Sequence, residues 1–226
     1  MSKVASRRTS ANRPRRRRGP GRPTEPIDVS LIVDVAREEI ARRGYEGVSL
    51  REVAEKVGVS KAAVYYHFPT KAELYDAVLD DDAGAMMLLV EAAKLDEGSY
   101  PERLDRLGAL VCDYLAERPA VARLFLRELV GHGPFLSGAG AKRVAEILEL
   151  TAAFLQAGAE AGAFRVDDVR QLAVSIAGVH LFAFAAADFI GPFLGAELTS
   201  GAGLEARRRA VLGQVRRLCG VAEAAT

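Results

Sequence analysis

Closely spaced helix start signals in the N-terminal third constrain the fold of this chain more than any other feature. In the run SLREVAEKVGVSKAAVYYHFPTKAE, Ser49 and Glu52 have the spacing of a capping box, and Thr70 with Glu73 repeats it. Ser60 lies between them and has the side chain of an N-cap residue. The run therefore predicts three helix starts in quick succession, which leaves room only for short helices between them.

Helix breakers in the same run predict where the short helices end. Gly58 is suited to a tight turn, and Pro69 disfavours the helical conformation for the residue before it. The predicted short helices cover residues 50–57 and 61–67, and they follow a longer helix over about residues 27–44. A longer helix followed by two short ones with a glycine turn is a helix-turn-helix unit.

The second short helix, in SKAAVYYHF, is the candidate for DNA recognition. Val64 and Phe68 are four residues apart and predict the inward face of this helix. The first turn holds Lys61, Ala62 and Ala63, where a recognition helix meets base edges in the major groove. A lysine can donate to guanine, and alanine methyl groups can contact thymine methyls. Phosphate contacts are predicted from Tyr65, Tyr66, His67 and Lys71. The alternative interpretation is a small packing helix with a solvated lysine.

The remaining sequence also carries helical patterns, and no segment alternates with the period of a strand. The predicted fold class is all-α, with a three-helix DNA-binding domain over residues 27–75 and a larger helical ligand-binding and dimerisation domain over 76–226. Residues 1–26 are predicted to be a disordered basic arm. Further helices are predicted over about residues 71–95, 101–117, 119–130, 141–161, 168–191 and 204–221.

The charge of the chain is distributed unevenly. Residues 1–24 hold nine of the 31 basic residues and no acid, so the remainder carries 22 basic against 30 acidic residues. A basic arm on an acidic body predicts a polyanionic partner for the arm. Its RRRRGPGRP segment resembles an AT-hook and suits a narrow minor groove, although a solvated tail is the alternative. The predicted DNA-contacting arginines are Arg16, Arg17, Arg18 and Arg22.

The stretch from Ile27 to Val78, with GYEGVSLREVAEKVGVSKAAVYYHFPTKAELYDAV, resembles the DNA-binding domain of the TetR family of transcriptional regulators. The resemblance implies that Ser49 and Lys71 hold phosphates and that His67 contacts the DNA backbone. It also implies that the groove is faced by Lys61, Ala62, Ala63, Tyr65 and Tyr66. The family often has Gly-Thr or Pro-Thr where this chain has the two alanines, so a hydroxyl contact is missing here and base readout is expected to depend more on Lys61 and the arm.

The apolar helix LAVSIAGVHLFAFAAADFIG and the last helix predict a homodimer interface, which the family resemblance also implies. Small residues on the first helix allow close approach of a second helix, and the alternative is that this helix is ordinary intrachain core. Polar interruptions and a Gly-Pro pair favour a buried helix over a membrane span. The predicted interface residues are Ala177, Gly178, Leu181, Val211, Val215 and Leu218.

A ligand pocket is predicted between the helices of the larger domain, because such pockets are mostly apolar with a few polar groups. Any one of the candidate residues is more often core than ligand contact. The candidates are Met86, Tyr114, Phe125, His132, Phe154, His180 and Phe184.

Motifs of enzymes are missing from the sequence. It contains no HExxH, CxxC, GxSxG or phosphate-loop pattern, so we expect no catalytic site, metal or cofactor. Two unpaired cysteines and a basic N-terminus without an apolar segment predict a cytoplasmic protein. The predicted function is a homodimeric repressor that binds palindromic double-stranded DNA and is released by a small, largely apolar effector. The alternatives are a ligand-independent architectural DNA-binding protein, and an enzyme or carrier in which the helix-turn-helix unit is incidental.

Overall fold

A computed structural model of the chain describes residues 28–93, 96–131 and 139–221. Over these ranges the chain is helical without strands, which confirms the predicted all-α class. The helices are α1 (Val29–Arg43), α2 (Leu50–Val57), α3 (Lys61–His67), α4 (Lys71–Ala92), α5 (Tyr100–Glu117), α6 (Pro119–Gly131), α7 (Ala139–Glu160), α8 (Val169–Ala185), α9 (Ala187–Leu194) and α10 (Gly201–Leu218).

The predicted caps set the starts of the two short helices. At α2 the Ser49 side chain accepts from the Glu52 N–H at 3.3 Å, and the Glu52 carboxylate accepts from the Ser49 N–H at 2.8 Å. The Ser60 hydroxyl accepts from the Ala63 N–H at 3.2 Å and so caps α3. Between them Gly58 has φ 80° and ψ 24°, a left-handed conformation in which glycine avoids the Cβ penalty.

The first core joins the helix-turn-helix unit to two later helices. Val64 of α3 and Phe68, the C-cap residue of that helix, are buried in it, as the spacing predicted. Beyond α1 to α4, this core includes Ala120 and Leu124 from α6. The unit is therefore fixed to the rest of the chain by packing as well as by the peptide link into α4.

The second core lies among α5 to α8 and α10. The sequence predicted one helix over 168–191, but α8 ends at Ala185 and α9 leaves it at an angle of 84°. Across the described ranges no single helix has the length and hydropathy of a membrane span, and this bent α8–α9 pair meets those two criteria only when taken together.

Candidate functional site

The surface of α3 is available for a large partner. Lys61 and Ala62 are exposed, Ala63 is half-buried, and the tyrosines that follow project outward, with Tyr66 83% exposed. The Lys61 ammonium lies 5.0 Å from the centre of the Tyr65 ring, so these two groups form one continuous patch. Because Val64 and Phe68 hold the opposite face in the core, α3 presents donors on a fixed platform.

Two predicted phosphate contacts, Ser49 and Lys71, already have partners within the chain. The Ser49 hydroxyl belongs to the α2 capping box and donates to Glu52 at 2.7 Å. The Lys71 ammonium donates to the Tyr45 carbonyl at 3.0 Å and lies 4.1 Å from the centre of the Tyr45 ring. Their roles toward phosphate stay predictions, and for Lys71 a phosphate would have to compete with the carbonyl. The predicted arm contacts Arg16, Arg17, Arg18 and Arg22 lie outside the described residues.

A cavity of about 200 Å³ lies in the second helical region, between α4, α5, α6, α7, α8 and α10. Four of the residues predicted for a ligand pocket come together on its wall: Met86, Phe125, Phe154 and His180. His132 lies outside the described residues.

Two other pocket candidates lie away from the cavity wall. Phe184 is fully buried in the second core. The Tyr114 hydroxyl is buried nearer Asp82, and burial raises the pKa of Tyr114 to about 12. Aromatic residues on a helix share the same sequence signal whether they line a cavity or fill a core, which explains both corrections.

The predicted dimer residues separate into three groups. Val211 and Val215 are buried in the second core of this one chain, which corrects their assignment to an interface. Ala177 and Leu181 are partly buried and line the cavity. Gly178 and Leu218 are exposed, and the predicted role in contacting a second copy stays open for them.

An exposed apolar stripe follows α8 beside Gly178. Val174 is 58% exposed and Phe182 is 61% exposed, and each is four residues from Gly178 along the helix. Residues spaced by four lie on one helix face. This stripe, Val174–Gly178–Phe182, is the outer face of α8 in the single chain.

A buried ionic cluster connects α1 to α4, and the sequence reasoning missed it. Arg37 is 3% exposed and its Nε donates to the fully buried Asp82 at 2.5 Å. Asp34 and Asp81 also accept from the same guanidinium. Burial raises the pKa of Asp82 to about 6, although the attraction to Arg37 opposes the shift. The acidic run DDD at 80–82, in the middle of α4, was the available signal for a buried cation partner.

Breaking this cluster should destabilise the fold. We expect Arg37→Met to lower the free energy of unfolding at pH 8 by about 3 kcal/mol, because it leaves a buried carboxylate without its counterion. A folded-state pKa above the ordinary 3.8 means that the stability contributed by Asp82 is greatest at low pH and falls as pH rises through about 6. The loss in Arg37→Met should therefore be smaller at pH 5 than at pH 8.

Chemical denaturation at the two pH values checks this expectation. The control is Arg51→Met, since among the described residues Arg51 forms only an exposed ion pair, with Glu55 at 2.8 Å. The control should unfold like the unmodified protein at both pH values. Equal stability of the two variants at pH 8 would show that the cluster contributes nothing.

Both helical regions of the chain match family models. Residues 32–78 match the model described as bacterial regulatory proteins, tetR family, and residues 101–215 match the tetracyclin repressor-like C-terminal domain. The second match alone covers half of the chain. The chain belongs to the tetR family. The helix-turn-helix described above lies mostly within the part of the chain that matches this family of bacterial regulatory proteins.

Individual relatives agree with this tetR-family assignment. The HTH-type transcriptional repressor AcnR of Corynebacterium diphtheriae is 37% identical over 81 residues, which are 34% of this chain and 43% of AcnR. A tetR-family regulatory protein from Rhodococcus RHA1 has the same fold, with a TM-score of 0.71 at 22% identity over 86% of this chain and 98% of its own. The structure of AibR in complex with isovaleryl coenzyme A and operator DNA has a TM-score of 0.67 at 20% identity, over 86% and 99% of the two chains. The chain spans less than half the length of AcnR, and the two structural likenesses concern the fold.

Proposed function

We propose that the protein is a homodimeric transcriptional regulator that binds palindromic DNA through α3 and loses affinity for DNA when a small effector occupies the cavity. The observation that carries the proposal is the exposed face of α3, anchored by Val64 and Phe68 inside a capped helix-turn-helix frame. Its site of action is DNA in the cytoplasm, and it acts by binding, without catalysis.

Dimerisation is the first requirement of this proposal. The α8 stripe exposes apolar surface that water solvates poorly, and a second copy of the same stripe would bury it. A two-fold dimer then presents two copies of α3 to half-sites about 34 Å, or a multiple of that distance, apart. Each short α3 contributes modest affinity, so simultaneous engagement of both supplies most of the binding.

Two helices connect the cavity to the DNA-binding core. α4 lines the cavity with Met86 and Val90, and contributes Leu74 and Val78 to the first core. α6 lines the cavity with Phe125 and contributes Ala120 and Leu124 to the first core. A ligand that displaces either helix at the cavity would shift the helix-turn-helix unit attached to its other end. A ligand that binds the DNA-free conformer more tightly would then lower the population of the DNA-bound conformer. The size of the shift is set by the ratio of the ligand's affinities for the two conformers.

The fold of AibR, which was crystallised with isovaleryl coenzyme A and operator DNA, supports this combination of sites in one chain. In the present protein the cavity provides space for a ligand, and its wall is almost entirely apolar. We infer that the part of the effector that enters the cavity is mainly apolar.

Deleting residues 1–24 distinguishes this proposal from the architectural alternative. The deletion removes nine cations, and each cation that contacts a phosphate adds to the salt dependence of binding. We expect weaker operator binding, a shallower slope of log affinity against log salt, and unchanged preference for the specific site. Fluorescence anisotropy with specific and scrambled duplexes, from 50 to 200 mM salt, measures all three.

Two other outcomes of this experiment are informative. Loss of all DNA binding on deletion, with no sequence preference beforehand, would support an architectural protein whose arm provides the affinity. A deletion that changes neither affinity nor slope would show that the arm does not contact DNA. A melting curve of the shortened protein should match that of the full chain.

A further inference from the structure

The described wall of the cavity offers no free hydrogen-bond donor to a ligand. Among the described residues that line it, only Thr151 of α7 and His180 of α8 have side chains that form ordinary hydrogen bonds. The Thr151 hydroxyl donates its proton to the Ile147 carbonyl of its own helix at 2.8 Å. None of the described lining residues belongs to the first turn of a helix, so their backbone N–H groups donate within the helices.

His180 lines the cavity without offering a ring nitrogen to a ligand. Its Nδ1 lies 2.9 Å from the Ile176 carbonyl oxygen, and its Nε2 is fully buried. Leu212 occupies the space beside Nε2, because a Cβ placed on Gly108 would lie 3.7 Å from Nε2 but only 2.7 Å from Leu212 Cδ2. Burial lowers the pKa of His180, so the ring is neutral at physiological pH. The imidazole therefore contributes neither a charge nor a hydrogen bond to the cavity.

The volume of the cavity sets the size of the group that it can hold. An engineered apolar cavity of about 150 Å³ stays dry and binds benzene, because a buried water needs several polar partners. The present cavity has a volume of about 200 Å³, with a wall of the same apolar kind. By the same ratio of volume to carbon atoms, it accommodates about eight carbon atoms.

We propose that the cavity is a site for a hydrocarbon group of about eight carbon atoms, and that it excludes groups that need a hydrogen bond. This inference rests on the ligand response proposed above and specifies the part of the effector that enters the cavity. A carboxylate, carbonyl or ether oxygen would lose its hydrogen bonds to water and find no donor in the described wall. A hydroxyl would exchange its bonds to water for one at most, to the Thr151 oxygen.

Three probes of the same size and shape test this exclusion: ethylbenzene, anisole and benzyl alcohol. Anisole replaces a methylene group of ethylbenzene by an ether oxygen, and benzyl alcohol replaces its methyl group by a hydroxyl. Calorimetric titration at pH 7.5 should give an affinity for ethylbenzene about tenfold or more above that for either other probe, because a polar group buried without a partner is costly. A smaller ratio for either probe would show that the wall provides a hydrogen-bond partner, and would overturn the inference.

Two neighbouring methionines of α4 locate the bound probe in the unmodified protein. Met86 lines the cavity, whereas Met87 is not among the described residues of its wall. With carbon-13 in the methionine methyl groups, bound ethylbenzene should shift the NMR resonance of Met86 more than that of Met87. A Met86 shift no larger than the Met87 shift, while calorimetry shows binding, would place the probe elsewhere and overturn the inference.

Filling the cavity should remove the site. Val90→Phe enlarges a side chain of the cavity wall on α4 and should lower the affinity for ethylbenzene by about tenfold or more. Leu88→Phe is the matched control on the same helix, because Leu88 is 63% exposed and lies outside the described wall, and it should keep the affinity. Unchanged affinity in a folded Val90→Phe protein would overturn the inference. If this variant does not fold, the methionine resonances of the unmodified protein still decide where the probe binds.

The same probes separate failure of this inference from failure of the proposed function. If ethylbenzene binds in the cavity with the expected preference and leaves the affinity for specific DNA unchanged, the hydrocarbon site stands and the ligand response is wrong. If anisole or benzyl alcohol binds as tightly as ethylbenzene and releases the protein from DNA, the ligand response stands and the exclusion of polar groups is wrong. If no probe binds, the inference is wrong, and affinity for specific DNA without a probe tests the DNA-binding proposal separately.

Discussion

Replacing Lys61 and Tyr65 together by alanine should lower the affinity for a specific DNA site by about 100-fold, since a good base contact contributes about 1–3 kcal/mol and a tenfold change needs about 1.4 kcal/mol. The two side chains form one patch on the outer face of α3, with the ammonium 5.0 Å from the ring centre. Both residues are exposed, so their removal should leave the melting temperature unchanged. Fluorescence anisotropy on specific and scrambled duplexes measures the loss.

A surface cation away from α3 provides the control for this double variant. Arg170 at the start of α8 is exposed and pairs only with Glu149 at 3.0 Å among the described residues. Arg170→Ala removes one positive charge and should leave DNA affinity within about twofold, because distant exposed charges are screened by salt. Wild-type affinity in the Lys61 and Tyr65 double variant would show that α3 is not the recognition helix.

Charging the α8 stripe should produce a monomer and abolish tight DNA binding. Val174→Arg with Phe182→Arg places two cations on the face that we propose meets its symmetry mate, where like charges from two copies would be buried together. Loss of bivalent engagement should reduce affinity for a palindromic site by about 10²–10⁴-fold. Analytical ultracentrifugation gives the oligomeric state, and anisotropy gives the affinity.

Leu88→Arg is the matched control for the stripe. Leu88 is an exposed apolar residue of comparable accessibility on α4, apart from the proposed interface. This variant should remain a dimer and keep its DNA affinity. A double variant of the stripe that remains dimeric would place the interface on another surface, such as the exposed Phe189 and Phe193 of α9.

The helix-turn-helix was predictable from sequence because its signals are local. Capping depends on residues three apart, as with Ser49 and Glu52, and the left-handed turn at Gly58 depends on one residue. The inward positions of Val64 and Phe68 follow from helical spacing alone. For this reason the bounds predicted for α2 and α3 from the sequence are the same as those in the structure.

Features that depend on which helices become neighbours were predicted less well. An apolar face on α10 identified Val211 and Val215 as buried, but the pattern did not reveal whether the covering helix belongs to the same chain or to a partner. The Arg37–Asp82 contact joins residues 45 positions apart, so the acidic run at 80–82 indicated a buried cation without identifying which one. The pocket was expected, whereas membership of its wall depended on how α4 to α8 and α10 pack.

The most direct test of the account is the dependence of DNA affinity on half-site spacing. A palindromic site selected from random sequence by the protein itself would be compared with the same half-sites moved apart by five base pairs, which rotates one half-site to the opposite face of the duplex. We expect one dimer per site and a loss of affinity of at least 100-fold on insertion, because both copies of α3 can no longer engage together. Affinity that is unaffected by the insertion, or equal on scrambled DNA, would contradict it.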